Sequence, residues 1–497
     1  MRLLNALFTF AAVAVAACVG DSTAGNDAGP DATNADTGID APVDAAACDG
    51  AVCGSACVDL QSDAKNCGTC GHACGSGFQC LAGKCGDDVT DVAAGGSHGC
   101  VLFRDQRVAC WGYNTVGQTG TDPSNADDTC GISKCRQTPT IVQGLDSVVQ
   151  LAAGVDFSCA VRNDGVVLCW GQNATGQLAR SLQIPYAATP AAITLPVGKK
   201  GAKVTCGQNS ACVRTLTNEV YCWGANRWSE VGATSTSTPV TTPSLVPFNA
   251  ADIVDVAISV DAGSRQHVCA IRSDKRVWCW GGNLNNELGH AGSANGDVNC
   301  NDGTYSGYCN PVPSVPDAPG VAGATSRGVG PMTTIAIGSS GVWAWGGNNY
   351  NQFGQTTPAN IFYPVPVQGL PAADAGATAI ATIAQNNGYE LGVDGDGQIW
   401  AWGNNTSGQL GTGAIDGTAC AVGGNHCLAP TKTIANVARV STGYGFALAL
   451  TKDGKVMAWG TNNEAELAHL PNATNSGDQS CNGGVCNPTP KAITNLP

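Results

Sequence analysis

From residue 88 onward the chain alternates short apolar runs with polar, glycine-rich turns, and no helical apolar periodicity appears after the first twenty residues. One run type ends in glycine, as in Val92-Ala93-Ala94-Gly95 and Leu151-Ala152-Ala153-Gly154. Another ends in a Trp-Gly pair, which recurs at Trp111, Trp170, Trp223, Trp280, Trp345, Trp402 and Trp459 with spacings of 53 to 65 residues. After each pair comes a polar turn and a Gly-Gln-Leu-like cluster, as in Gly176-Gln177-Leu178 and Gly408-Gln409-Leu410-Gly411. A proline and β-branched stretch follows, such as Pro139-Thr140-Ile141-Val142 or Pro243-Ser244-Leu245-Val246. Strand, hairpin, strand, loop and strand in about 55 residues make one propeller blade. Seven pairs therefore predict an all-β, seven-bladed propeller over residues 88–497.

The full pattern, V-x-A-G followed by C/L-x-L-x-x-D-G-x-V-x-x-W-G-x-N-x-x-G-Q-L-G, resembles the repeat of the regulator of chromosome condensation (RCC1) family. The resemblance covers about 400 of the 497 residues and is fullest in the second, sixth and seventh copies. In the fifth copy, around Ile335-Ala336-Ile337-Gly338, the Asp-Gly turn is missing and the strand assignment stays open. The repeats start on the Val92 strand and finish on Pro490-Lys491-Ala492-Ile493, a stretch that elsewhere precedes a Val92-like strand. The C-terminal segment is therefore expected to complete the first blade and close the ring.

Twenty-six cysteines beside six histidines suggest an oxidising compartment. Cys100/Cys110, Cys159/Cys169, Cys212/Cys222 and Cys269/Cys279 each stand ten apart, the second always just before the blade tryptophan. Copies six and seven hold Leu391/Ala401 and Leu448/Ala458 in these slots, so both members change together. If the two positions face each other, a three-residue loop remains, centred on Asp105, Asp164, Thr217, Asp274, Asp396 or Asp453, with Gly165, Gly397 and Gly454 third, where a left-handed residue is wanted. Four hairpin disulfides are expected. Four more are expected in the loops between blades, at Cys130/Cys135, Cys300/Cys309, Cys420/Cys427 and Cys481/Cys486. Cys206 is left over, at a position filled by Ala94 and Ala153 in other copies, and should be a buried thiol.

The first 18 residues read as an export signal: Met1-Arg2, an apolar run from Leu3 to Ala17, then Cys18. Val15-Ala16-Ala17-Cys18 resembles a bacterial lipoprotein signal, which implies a lipid on Cys18 and a membrane anchor; Val19 in place of Asp points to the outer membrane or cell surface. Residues 19–47 hold six Asp and no Lys or Arg, and are expected to be a solvated tether spanning about 30 Å. Residues 48–86 form a cysteine-rich module with eight cysteines from Cys48 to Cys85 and few large apolar side chains. Its run Asn66-Cys67-Gly68-Thr69-Cys70-Gly71-His72-Ala73-Cys74 resembles the Stig1-type module. Four disulfides of open connectivity are expected there; zinc at Cys67 and Cys70 is the weaker reading, because no second pair stands at zinc-ribbon spacing.

A net charge of -14 with scattered Lys and Arg argues against nucleic acid. No nucleophile motif, phosphate loop or metal-ligand spacing occurs, so no catalytic residue, cofactor or metal is assigned. Asp394-Gly395-Asp396-Gly397 sits on the repeat's hairpin turn and is read as that turn, and His98 and His267 as exposed rim residues. Trp278, Trp343 and Trp400, two residues before a repeat tryptophan, are read as blade packing. The resemblance implies a binding scaffold. The exchange activity of the founding family member is not carried over, since an exported acidic lipoprotein meets neither its nuclear GTPase nor chromatin. The expectation is a monomeric, non-enzymatic envelope protein that binds a protein or an envelope polymer; the alternative is a carbohydrate-binding or polysaccharide-acting propeller.

Overall fold

The computed structural model describes residues 48–497 except 49, 64, 73–79, 82, 86–88, 125–127, 235–237, 249–250, 261–265, 302, 304–305, 317–320, 322, 331, 355–359, 416–425, 473–475 and 482–483. Cys18, the segment 19–47, Cys74 and Cys420 lie outside the described residues. In the cysteine-rich module two small hairpins, β1 (Ala51–Cys53) with β2 (Ala56–Val58) and β3 (Cys80–Leu81) with β4 (Lys84–Cys85), are tied by Cys48–Cys57, Cys53–Cys70 and Cys67–Cys80. Cys67 and Cys70 thus bond to different partners.

Seven antiparallel sheets follow. Blade 1 runs outward as β5 (Val89–Ala94), β6 (His98–Phe103), β7 (Val108–Tyr113) and β9 (Ser133–Ile141), with β8 (Asp128–Cys130) on its outer edge. Blade 2 comprises β10 (Val148–Ala153), β11 (Phe157–Arg162), β12 (Val167–Gln172) and β13 (Tyr186–Ala192). Blade 3 comprises β14 (Gly201–Cys206), β15 (Ser210–Thr215), β16 (Val220–Gly224) and β17 (Val240–Leu245). Blade 4 has β18 (Ile253–Ile258), β19 (His267–Arg272), β20 (Val277–Gly282) and β22 (Ser306–Ser314), edged by β21 (Val298–Asn301). Blade 5 holds β23 (Ser326–Val329), β24 (Thr333–Gly338), β25 (Gly341–Gly347) and β26 (Asn360–Pro366). Blade 6 holds β27 (Ile380–Asn386), β28 (Tyr389–Asp394), β29 (Ile399–Asn404) and β30 (His426–Lys432). Blade 7 has β31 (Val437–Thr442), β32 (Phe446–Thr451), β33 (Val456–Thr461) and β35 (Gly484–Ala492), edged by β34 (Gln479–Cys481). The first strand of each blade packs beside the first strand of the next, and β31 beside β5, so the ring is closed around a channel.

Closure does not take the expected form. The C-terminal strand β35 pairs with β33, Met457 opposite Ala492 and Thr461 opposite Cys486, and so completes the last blade rather than the first. The proline stretch is the outer strand of the blade whose tryptophan precedes it, as β9 on β7 also shows. No strand of one blade is lent to the other at the seam. It is held instead by a shared core of Val92, Val101, Phe103 and Trp111 against Phe446, Leu448, Leu450 and Val456, and by backbone contacts such as Tyr444 N–H to the Gly96 carbonyl at 3.0 Å.

The hairpins explain their cysteines. Arg162 N–H donates to the Val166 carbonyl, which makes 162/166 a hydrogen-bonded pair; by alternation Cys159 and Cys169 face each other at a non-hydrogen-bonded site, where side chains lie closest. The same register sets Cys100 opposite Cys110, Cys212 opposite Cys222 and Cys269 opposite Cys279. All four pairs, Cys100–Cys110, Cys159–Cys169, Cys212–Cys222 and Cys269–Cys279, are disulfide-bonded, with Cα atoms 4.1 Å apart in each. The loop is three residues long in six blades, and its third residue is left-handed in all of them, glycine or not: Gln106 (φ 69°), Asn218 (61°) and Lys275 (65°) join Gly165, Gly397 and Gly454. Asp105, Asp164 and Asp274 each accept the backbone N–H two residues on, at 3.0–3.1 Å, which fixes the turn. Blade 5 lacks the Asp-Gly pair because its turn is shorter: Gly338 faces Gly341 across Ser339-Ser340.

This hairpin geometry is open to mutation. Lys275→Gly should raise stability by about 0.5–1 kcal/mol, since the relief of a left-handed side-chain conformation exceeds the added unfolded-state entropy; a urea midpoint that falls or stays put contradicts this. Closing a hairpin with sulfur contributes about 2–3 kcal/mol. Replacing Cys159/Cys169 by Leu/Ala, the pair that blades 6 and 7 bury, should cost less than replacing both by Ser. Equal losses in chemical denaturation would show that apolar filling is not what the site requires.

Candidate functional site

The repeat's polar residues form a joint between blades. Every repeat tryptophan is fully buried, and each indole N–H donates to a backbone carbonyl of the preceding blade. Trp170 reaches Gln118, Trp223 Gln177, Trp280 Glu230, Trp345 Glu287, Trp402 Gln352 and Trp459 Gln409, and at the seam Trp111 reaches Glu466, all at 2.7–3.0 Å. The Gln or Glu that offers its carbonyl also accepts, through its side chain, the backbone N–H two residues earlier, at 2.7–3.1 Å in all seven blades. An asparagine further back (Asn114, Asn173, Asn226, Asn283, Asn348, Asn405 or Asn462) accepts the N–H five residues on, at 3.0–3.2 Å. The N-x-x-G-Q-L segment is thus a folded loop whose product is one aimed carbonyl. The glycine after each tryptophan has φ between 92° and 107°, and a Cβ at Gly112 would lie 2.6 Å from the Ser97 carbonyl oxygen.

The hairpin cysteines belong to the core and not to any accessible site. Cys110, Cys169, Cys222 and Cys279, each beside its blade tryptophan, are fully buried, as are their partners Cys100, Cys159, Cys212 and Cys269. They pack between blades: Cys100 and Cys110 against Val142 and Leu151 of the first junction, Cys212 and Cys222 against Val246 and Val256, and Cys269 and Cys279 against Val329 and Ala336. Their contribution is to the frame. None of the eight can meet a ligand.

His98 and His267 are not rim residues; both are fully buried. Each opens the second strand of its blade, opposite the glycine after the tryptophan, where other blades have Phe157, Tyr389 and Phe446. The Ser158 hydroxyl donates to the Gln118 carbonyl at 3.2 Å, so His98 Nε2–H donates to Ser158, at 2.8 Å. Likewise Thr334 donates to the Glu287 carbonyl at 2.9 Å and receives His267 Nε2–H at 2.7 Å. The histidines therefore stitch blade 1 to blade 2 and blade 4 to blade 5. Burial drives their pKa values down, to about 4 for His98 and about 3 for His267. Burial acts the opposite way on carboxyls, pushing Glu466 up to about 8 and Glu390 well above its ordinary value.

Cys206 is buried and free, and burial pushes its thiol pKa up, which leaves it protonated and inert. Trp278 and Trp400 are only half-buried, stacked under Arg272 at 5.1 Å and Lys432 at 4.9 Å. Asp394-Gly395-Asp396-Gly397 is the blade 6 hairpin turn, with Asp394 Oδ1 accepting Gln398 N–H at 2.8 Å. No group of three or more His, Cys, Asp or Glu among the described residues could hold a metal.

Inside the channel, the third residue of successive inner strands includes Asp91, Gln150, Lys203, Asp255, Thr382 and Arg439. Lys203 pairs with Asp255 at 2.6 Å and Arg439 with Asp91 at 3.8 Å, so the charges are largely balanced within the ring. The two ends of the propeller differ. At the end carrying the N-x-x-G-Q-L loops, sulfur-closed hairpins overlie the preceding blade: Cys130 and Cys135 pack on Ala465, and Cys300 and Cys309 on Trp228. Cys481–Cys486 closes the equivalent hairpin of blade 7, and Cys427 is disulfide-bonded in blade 6. The opposite end, formed by the strand hairpins, exposes Val149, Val197, Leu216, Leu245 and Val254 from blades 2 to 4. Val197 is fully exposed. The loop end also exposes apolar side chains, Ile132, Leu182 and Ile184 among them, so both ends offer them.

A ring of seven blades joined by tryptophan-to-carbonyl bonds, with variable ends, defines a seven-bladed β-propeller. The chain belongs to the RCC1-like domain family, whose profile matches residues 64–413; RCC1 repeats match residues 396–450 and 437–465. It is 27% identical over 373 residues to human E3 ubiquitin-protein ligase HERC2, covering 74% of this chain but only 7% of that protein. It is 25% identical over 383 residues to the Arabidopsis thaliana ultraviolet-B receptor UVR8, covering 76% of this chain and 78% of that one. Human WBSCR16 and Saccharomyces cerevisiae Prp20p share the fold, each with TM-score 0.60 and 19% identity over 78% of this chain, and over 94% and 85% of their own.

Opposed buried groups predict opposed pH limbs. The unfolded chain protonates His98 near pH 6.5 and the native state near 4, so stability is lost as pH falls through that window, by at most about 1.4 kcal/mol per pH unit. Glu466 works the other way: its contribution is full below pH 4.5 and is lost as pH rises toward 8. His98→Phe, the residue of blades 2 and 7, should flatten the acid limb, and Glu466→Gln, the residue of four other blades, should stabilise increasingly from pH 4.5 to 8. Denaturant titrations of both variants across about pH 4–8 that run parallel to the parent would overturn the assignment.

Proposed function

We propose that this chain is an exported, lipid-anchored bacterial envelope protein whose propeller serves as a non-enzymatic binding scaffold for a protein or an envelope polymer. One observation carries the reading: a frame stiffened by seven inter-blade indole bonds and sulfur-closed hairpins keeps apolar side chains exposed at its ends, Val197 and Leu216 at one and Ile132 and Ile184 at the other. Exposed apolar area on an otherwise polar, acidic surface is what a docking platform presents. Prp20p, which shares this fold, has binding properties toward Gsp1p and histones, and yeast RCC1 (Prp20) forms a complex with Kap60. The number of disulfides supports export, and the Val15-Ala16-Ala17-Cys18 run supports lipid attachment. Polymer binding draws support from Phe362 and Tyr363, an edge-to-face pair at 5.2 Å that stands half-exposed on the outer strand of blade 5, where a sugar ring could stack.

Two measurements test this. Metabolic labelling with a radioactive fatty acid in a diderm bacterium should tag the full chain and not its Cys18→Ser variant; label on both, or on neither, overturns the anchor. Proximity labelling from the full chain at the cell surface should enrich a reproducible protein or polymer over a lipid-anchored control lacking the propeller, and no enrichment overturns the scaffold.

A further inference from the structure

The blade junctions at the hairpin end are an internal comparison. Between blades 1 and 2 the loop is short, and Leu145, Val142 and Val148 fill the space over Val108. Val148 N–H donates to the carbonyl of the third loop residue, Gln106; the same bond identifies its counterparts Gly201, Ile253, Ala324 and Val437. Val148, Ile253 and Val437 are buried apolar plugs. Gly201 has no side chain to offer, and the loop leading to it is longer, with Leu195 only partly buried. A cleft of about 380 Å³ opens there, lined by Val167, Ile193, Leu195 and Val197, with Lys199 and Lys200 on its rim. The next junction repeats it in smaller form, about 190 Å³ beside Leu245 and Phe248.

The charges around the cleft leave one cation over. Lys199 is paired with Glu219 at 2.5 Å, Lys203 with Asp255, and Asp164 with Arg162 at 3.0 Å. Lys200 is exposed and has no ion-pair partner among the described residues; its stem lies along Gly165. On a chain of net charge -14, an apolar cleft with a single unpaired cation at its lip is complementary to an apolar side chain followed closely by a carboxylate.

We propose that the cleft between blades 2 and 3 is the docking site for an extended segment of a partner protein, an apolar side chain entering between Val167 and Leu195 and an adjacent Asp or Glu pairing with Lys200. This rests on the scaffold reading and specifies where and what it binds.

Selection of a random-peptide display library against the full chain tests it. Enriched peptides should share an apolar residue within a few positions of an Asp or Glu. The synthetic consensus peptide should bind Val197→Asp and Lys200→Glu each about 10-fold more weakly, as loss of one anchor at a small interface implies. Ile132→Asp, an exposed change at the opposite end, should leave it unaffected. Both cleft positions are exposed, so folding is not at stake. Peptides without a carboxylate, equal affinity for the cleft variants, binding gained only when residues 19–47 are removed, or no enrichment would each overturn the proposal. A surface partner still labelled by the Val197→Asp/Lys200→Glu chain would refute the cleft and leave the scaffold standing.

Discussion

A buried indole N–H must find an acceptor, because leaving it unpaired away from water costs a large part of its hydration. This chain solves that need seven times in one way, by aiming a backbone carbonyl of the neighbouring blade at the ring. The rest of the repeat is subordinate to that bond. Asparagine and Gln or Glu fold the loop that holds the carbonyl, and the glycine beside the tryptophan lets the strands approach. Because blades 7 and 1 share the same bond, between Trp111 and Glu466, the ring closes without exchanging a strand. Circularity here is a property of side chains.

Seven copies also act as substitutions made within one molecule. Where the hairpin cysteines give way to Leu391/Ala401 and Leu448/Ala458, the pair is still fully or nearly fully buried and opposed in the same register as Cys100/Cys110 or Cys269/Cys279. Sulfur and hydrocarbon are thus two answers to one close cross-strand site. The position of His98 and His267 also holds Phe157, Ser210, Tyr389 and Phe446, which reach the next blade by packing or by a hydrogen bond, whereas in blade 5 Thr333 donates to the Gly347 carbonyl of its own blade at 2.7 Å. Where the bond is polar and titratable, stability becomes tied to pH; where it is aromatic, it does not.

The blade count and hairpin turns were legible in the sequence because Trp-Gly and Asp-Gly are local signals with local causes. The blade boundary was not. A periodic sequence has no marked origin, and the proline stretch between two repeats fits either neighbour until strand pairing, a non-local fact, assigns it to the blade before. For His98 and His267 only position signals burial: Phe157 and Phe446 stand at the same point in the repeat, whereas a histidine's polarity taken alone points to the surface. Cys206 was readable from Ala94 and Ala153 in just that way. The cleft left no motif, since it comes from what Gly201 lacks and from a longer loop.

Stiffness and exposure are linked in this fold. A platform that must reorganise to bind loses part of its interaction energy to ordering itself, and one that is already fixed does not. Blade edges tied by indole bonds, hairpins closed by sulfur and turns locked by Asp105, Asp164 and Asp274 leave little to order at the end where Val197, Leu216 and Leu245 stand exposed. The same rigidity lets a junction stay open. In a softer core the space over Val167 would collapse as side chains moved in, whereas here the Gly201 backbone is held by its bond to the Gly165 carbonyl at 2.8 Å and the neighbouring strands by the ring. An unfilled junction in a rigid ring is therefore a stable surface feature, and its shape is available to a partner at little conformational cost.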